Sequence, residues 1–168
     1  SNQNGSATVT VGLSDDGGTA VSGDDDTFAD QTFTITLTAV NDEPSFTKGS
    51  NITVLEDSGS SSTSNWATSL STGPSDESGQ TLTFTVTNNN NSLFSVQPAI
   101  SSSGTLSFIT ATNANGTATV TVSISDNGGT ANGGDDTSPN QTFTITVDPV
   151  NDEPSFTTNN ITYLEDSG

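Results

Sequence analysis

The octapeptide VNDEPSFT occurs twice in this chain, from Val40 and again from Val150, and it belongs to a longer echo. NGSATVTVGLSDDGGTA from Asn4 returns as NGTATVTVSISDNGGTA from Asn115. DQTFTITLTAVNDEPSFT from Asp30 returns as NQTFTITVDPVNDEPSFT from Asn140, and ITVLEDSG from Ile52 as ITYLEDSG from Ile161. The offsets are 111, 110 and 109 residues, so the copies differ by single deletions in polar stretches, where loops tolerate them. A tandem repeat of this kind constrains the fold more than any composition, because each copy must form the same structure.

The period defines the organisation. Residues 1–40 read as the C-terminal part of one repeat, 41–150 as a complete repeat, and 151–168 as the N-terminal start of the next. No methionine occurs, so the parent chain is expected to extend beyond one or both ends. A period of about 110 residues suits a small β-sandwich and exceeds the usual period of a solenoid.

Only 27% of the residues are hydrophobic and the formal charge is −19, a combination that usually means disorder. The patterning says otherwise. TFTITLT (32–38), TLTFTVT (81–87), TVTVSIS (119–125) and TFTITV (142–147) alternate polar and apolar residues with period two, the mark of strands with one buried face. Clusters of Asn, Asp, Gly and Ser separate them, and no segment has a helical period. The expected class is all-β, with about seven strands to a repeat in two sheets. Within the complete unit they are placed near 51–55, 66–70, 80–87, 93–97, 104–109, 117–125 and 141–148. With no cysteine, disulfides cannot supply the stability that a modest core lacks. No apolar run approaches the roughly 18 residues of a membrane span.

The carboxylates concentrate where the strands stop: Asp15–Asp16, Asp24–Asp26, Asp42–Glu43, Glu56–Asp57, Asp76–Glu77, Asp126, Asp135–Asp136, Asp152–Glu153 and Glu165–Asp166. Outward strand positions hold Thr and Ser instead. Lys48, the single basic residue, cannot balance 20 acidic ones. Concentrated like charge opposes compaction unless a cation neutralises it. Hard oxygen ligands without His or Cys select calcium over zinc or copper. The same charge disfavours nucleic acid and anionic membrane as partners.

VNDEPSF resembles the linker of cadherins and, more closely, the V-N-D-x-P joint of cadherin-like tandem repeats in bacterial surface proteins. DESGQTLTF (76–84) resembles the D-x-D-G…L-T-F segment of those repeats. GTLSFITATNANG (104–116) with SDNGG (125–129) resembles their G-x-L…N-x-N-G…S-D-G run. The resemblance implies Ig-like or cadherin-like β-sandwiches joined end to end through calcium-loaded linkers in an extracellular, cell-surface protein of bacterial type. It implies that Asn41, Asp42 and Glu43 are linker ligands, joined by Asp76, Asp126, Asp135 and Asp136. Glu56 is expected at the opposite pole, facing the next linker at Asn151, Asp152 and Glu153. Asp15 and Glu165 are the equivalents of Asp126 and Glu56 in the neighbouring copies. Two departures reduce the expected number of ions. Asn113-Ala114-Asn115 stands where cadherins carry D-R-E, and Ser78 replaces the second acid of D-x-D, with Glu77 directed elsewhere if that segment is extended.

The implied function is mechanical: an extender of a long adhesin, or the protomer of a surface fibre, with neighbouring repeats or identical chains as partners. The alternatives are a carbohydrate- or ice-binding module, using Trp66 or the threonine rows, and an accessory domain of a secreted glycoside hydrolase. Trp66 and Phe46 are expected in the core, as is Phe156 beneath its own linker. GDDDTFAD (23–30) partly resembles an EF-hand loop, but its counterpart GGDDTSPN lacks the spacing. Sequons at Asn4, Asn51, Asn90, Asn115, Asn140 and Asn160 leave attached glycans open. Catalysis is not expected. The chain lacks His and Cys, and its paired carboxylates recur at every joint, as ligands would and a unique active site would not.

Overall fold

The computed structural model describes residues 3–15, 27–163 and 165–166; the acidic runs at Asp16 and at Asp24–Asp26, and with them most of the EF-hand-like stretch, lie outside the described residues. The protein is all-β. Eleven strands are present among the described residues: β1 (Gly5–Ser14), β2 (Thr27–Leu37), β3 (Ser45–Thr47), β4 (Ile52–Leu55), β5 (Ser60–Thr63), β6 (Thr68–Ser71), β7 (Thr83–Asn88), β8 (Phe94–Ile100), β9 (Leu106–Thr110), β10 (Gly116–Ser125) and β11 (Gln141–Asp148). They form a β1-β2 hairpin, a four-stranded sheet in the order β4-β11-β10-β7, a β3-β6 pair and a three-stranded β5-β9-β8 sheet. Helical structure among the described residues is limited to 3₁₀ turns, including Ser75–Glu77 and Asn91–Leu93, and no helix is long and apolar enough to cross a membrane.

The two copies of the alternating sequence make the same hairpin. In β1-β2, Gly5 lies opposite Leu37, Ala7 opposite Ile35 and Val9 opposite Phe33. In β10-β11 the equivalent residues pair identically: Gly116 with Val147, Ala118 with Ile145, Val120 with Phe143. Over these paired segments, Gly5–Val11 with Gln31–Leu37 and Gly116–Val122 with Gln141–Val147, period-two alternation puts the apolar residues on one face and the threonines on the other, and the β1-β2 hairpin continues past an irregularity between Val11 and Leu13. β11 has a second partner, since β4 runs parallel beside it with Ile52 opposite Ile145 and Val54 opposite Val147.

The chain divides into two compact units. One comprises Lys48–Ala67, Val86–Val122 and Asn140–Gly168. Its core is Leu106 and Phe108 from β9, Ala118, Val120 and Val122 from β10, and Ile145 and Val147 from β11, none more than 2% exposed. Phe94 packs edge-on against Phe108 with ring centroids 5.7 Å apart. Trp66 is buried as expected, against Phe143 at 4.3 Å, with its indole Nε1 donating to the Ser50 carbonyl at 2.9 Å. It sits in the turn before β6 rather than in the strand expected at 66–70.

The other unit comprises Ser1–Thr47, Thr68–Thr85 and Ser123–Pro139. Pro44 and Phe46, which follow the Asn41–Glu43 segment, are buried, and Phe46 meets Phe84 edge-to-face at 5.3 Å. Ile124 is fully buried; its N–H donates to the Ser138 hydroxyl at 3.0 Å and its carbonyl accepts the Ser138 N–H at 2.9 Å. The residues around Asn41 are thus anchored by an apolar wedge directly behind them. Phe156, the copy of Phe46, was expected to wedge likewise but is 87% exposed.

Candidate functional site

Asn41 is the hub of the first unit. Its Nδ2 donates to Asp126 Oδ1 at 3.0 Å and to the Asp135 carbonyl at 2.8 Å, and its Oδ1 accepts from Gln80 Nε2 at 2.7 Å. Its own carbonyl accepts the Asp135 N–H at 3.0 Å. One residue on, the Asp42 N–H donates to Glu77 Oε1 at 2.8 Å. Local turn chemistry sets up each partner. Pro74 precedes the 3₁₀ turn Ser75–Glu77, which rolls Glu77 inward until it is buried. Asp126 directly follows β10 and accepts the Gly128 N–H at 2.9 Å, an Asx turn that fixes its carboxylate.

Two glycines make room for this network. Gly73 has φ +127°, and a Cβ there would overlap Glu77 Oε2 and crowd Asp42. A Cβ on Gly128 would overlap the Asn41 carboxamide. Both the backbone conformation at Gly73 and the close approach at each position exclude other residues.

Three buried oxygens in this network have no hydrogen-bond partner: Glu77 Oε2, Asp126 Oδ2 and Gln80 Oε1. Each belongs to a residue whose other polar atom is bonded to Asn41 or Asp42. A buried oxygen without a donor costs about 1–3 kcal/mol, and more when charged. Two clefts open beside them. One, of about 330 Å³, is lined by Gln3, Asn4, Thr38, Ala39, Val40, Asp42 and Asp76. The other, of about 240 Å³, is lined by Asn4, Ala39, Val40, Asn41, Asp76, Glu77, Gln80 and Gly128.

The expected site residues divide as follows. Asn41, Asp42 and Asp126 meet in the network. Asp76 is exposed and accepts a hydrogen bond from Asn4 Nδ2 at the rim of both clefts. Asp135 contributes only its backbone; its carboxylate accepts the Thr137 N–H at 3.2 Å, and that of Asp136 accepts the Thr137 hydroxyl at 2.9 Å, so both side chains are engaged within their own loop. Glu43 and Asp15 are exposed. Glu77 and Gln80, absent from the expected set, are partners of Asp42 and Asn41. The segment carrying Glu77 is a 3₁₀ turn and not extended, and Pro74-Ser75 ahead of two acids was the signal for that turn.

In the second unit Glu56 is 5% exposed, accepting the Val150 N–H on Oε1 at 2.7 Å and Asn115 Nδ2 on Oε2 at 3.0 Å. Glu56 therefore meets the backbone one residue before Asn151. The NAN segment supplies donors where the resembled family has carboxylates: the Asn113 N–H binds Asp57 Oδ1 at 3.0 Å and the Asn115 amide occupies Glu56. Asn151, Asp152, Glu153 and Glu165 are exposed; the Asn151 amide donates to the Asp152 carbonyl at 3.2 Å.

Among the described residues no three acidic side chains converge closely enough to hold a metal ion as they stand. In the first unit amide and backbone N–H groups occupy one oxygen each of Glu77 and Asp126, and the remaining donors include the neutral Gln80. No family model, curated protein or solved structure matches the chain.

Proposed function

We propose that this chain is a segment of a long extracellular protein, bacterial in type, built of tandem cadherin-like β-sandwich repeats whose joints are stiffened by calcium. Its role is structural, as an adhesin extender or fibre element. The observation that carries the reading is the set of buried oxygens without partners, Glu77 Oε2, Asp126 Oδ2 and Gln80 Oε1, beside the repeated linker residues Asn41 and Asp42. A buried carboxylate oxygen with no donor is destabilising unless a cation meets it. The donor set is all oxygen, mixing carboxylates with a carboxamide, which suits calcium's preference for several hard ligands in flexible geometry. Glu77, Asp126, Gln80 and Asp42 would hold the ion, with Asp76 at the rim, and the ion would supply neutralisation of charge that a single lysine cannot.

The joint after Val150 is expected to bind calcium more weakly. Glu56 there already accepts two hydrogen bonds, and Asn113 and Asn115 bring donors in place of anionic oxygens.

Small-angle scattering of the chain at low concentration, in calcium and in chelator, tests the proposal. Calcium should narrow the distribution of dimensions. Identical curves in both conditions would refute stiffening.

A further inference from the structure

We propose that the Asp148–Pro149 peptide bond is a self-cleavage site, cut by the Asp148 carboxyl group, which divides the chain at the end of the complete repeat. Six prolines occur in the sequence, and only Pro149 follows an aspartate. The copy of this pair one repeat earlier is Thr38-Ala39, which has neither the carboxyl group nor the proline. An aspartyl side chain reaches its own backbone carbonyl carbon by closing a five-membered ring, the geometry that makes an internal nucleophile effective. Proline completes the pair, because its nitrogen belongs to a tertiary amide with no N–H and departs as a basic secondary amine.

The fold leaves the nucleophile loose and holds its target. Asp148 is the last residue of β11 and is exposed, and its carboxylate has no hydrogen-bond partner among the described residues, so it is free to turn toward its own carbonyl carbon. The Asp148 carbonyl oxygen accepts the Glu56 N–H at 2.9 Å, a donor placed where negative charge develops in a tetrahedral intermediate. On the far side of the bond, the Val150 N–H donates to Glu56 Oε1 at 2.7 Å. Glu56 therefore brackets Pro149, with its backbone on the residue before and its side chain on the residue after. The neighbouring strand β10 carries no charged residue, and Asp57, next to Glu56, accepts the Asn113 N–H.

Water is the only co-reactant. A carboxyl oxygen of Asp148 bonds to the backbone carbonyl carbon of the same residue, the bond from that carbon to the Pro149 nitrogen breaks, and the carboxyl proton passes to the departing nitrogen. Water then opens the cyclic anhydride on Asp148 to two carboxyl groups. The products are a chain ending at Asp148 and a chain beginning at Pro149. Glu43–Pro44 and Glu153–Pro154 would need a ring one atom larger, and Pro44 is fully buried.

Mass spectrometry of the chain, held in a mildly acidic buffer in which circular dichroism still reports the native strands, tests the proposal. Fragments 1–148 and 149–168 should accumulate while the Glu43–Pro44 bond stays intact. Asp148→Asn lacks the carboxyl nucleophile and Pro149→Ala lacks the leaving group, so each should cut at least roughly tenfold more slowly. Urea in the same buffer removes the Glu56 contact and should slow the cut several-fold. No fragments from the unsubstituted chain, or equal rates from it and Asp148→Asn, would overturn self-cleavage. A rate in urea equal to or above the native one would overturn the part assigned to Glu56.

Discussion

Glu77 Oε1 accepts the backbone N–H of Asp42 at 2.8 Å, while Oε2 of the same carboxylate is buried without a partner. One half of the group holds the backbone at Asp42, and under the proposed calcium reading the other half would meet the ion. These two roles separate by mutation. Glu77→Gln keeps an oxygen for the Asp42 N–H and removes the charge. It should leave stability in chelator unchanged or raised, and remove much of the calcium-dependent rise in Tm. Glu77→Ala strands the Asp42 N–H and should cost about 1–3 kcal/mol in both conditions. Thermal melts of both variants, in calcium and in chelator, check this.

Gly73→Ala should reach the same site through the backbone. The substitution forces a Cβ onto Glu77 Oε2 at φ +127°. A loss of about 1–3 kcal/mol in chelator is expected from that strained conformation alone, with the calcium response reduced further because Glu77 is displaced. Urea denaturation with and without calcium measures both. A neutral effect would mean that the close approach at Gly73 is not required.

Asp42 and Asp148 separate ligand from ornament. Asp42 donates its N–H to Glu77, whose other oxygen is buried without a partner, whereas Asp148 is exposed and contributes its backbone carbonyl to the Glu56 N–H. Extracellular calcium modules bind with Kd of roughly 10⁻⁴–10⁻³ M, so millimolar calcium adds about 1–2 kcal/mol per site by mass action. Asp42→Ala should abolish most of that increment and Asp148→Ala should retain it. Equal losses in calorimetric melts would mean that the carboxylates are only a solvated surface.

Identical substitutions in the two hairpin copies should differ. Val120 is fully buried and Val9, its copy in β1, is only half-buried. Val120→Ala should cost about 2 kcal/mol from lost transfer energy and residual cavity. Val9→Ala should cost well under that. Urea denaturation followed by far-ultraviolet circular dichroism, which reports all the strands, measures both variants.

Much of the fold was legible because the alternating segments carry it. TFTITV and TVTVSIS declare strands, and the strands form there. The strands that escaped are those without an apolar alternation. β5 is SSST, with no hydrophobic residue to report a period, and it forms through its pairing with β9, Ser61 opposite Phe108. β3 is only three residues long and is anchored by Phe46. Trp66 was legible as a core residue but not as a turn residue, because burial depends on what packs against it and not on local propensity. At the candidate site, the repeated NDEP pointed to Asn41 and Asp42. Which acids would face them depended on a 3₁₀ turn that buries Glu77 while Asp76 stays exposed, and on loops that engage Asp135 and Asp136 internally. Residue type marks a candidate ligand; the turn decides where it points.

Titration of calcium into the isotopically labelled chain, followed through backbone amide resonances, tests the central claim residue by residue. The account predicts saturable shifts at millimolar calcium for Asn41, Asp42, Glu77, Gln80 and Asp126, with Asp57 and Asp148 unmoved. Small, unsaturable shifts spread over all the acidic residues alike would contradict it.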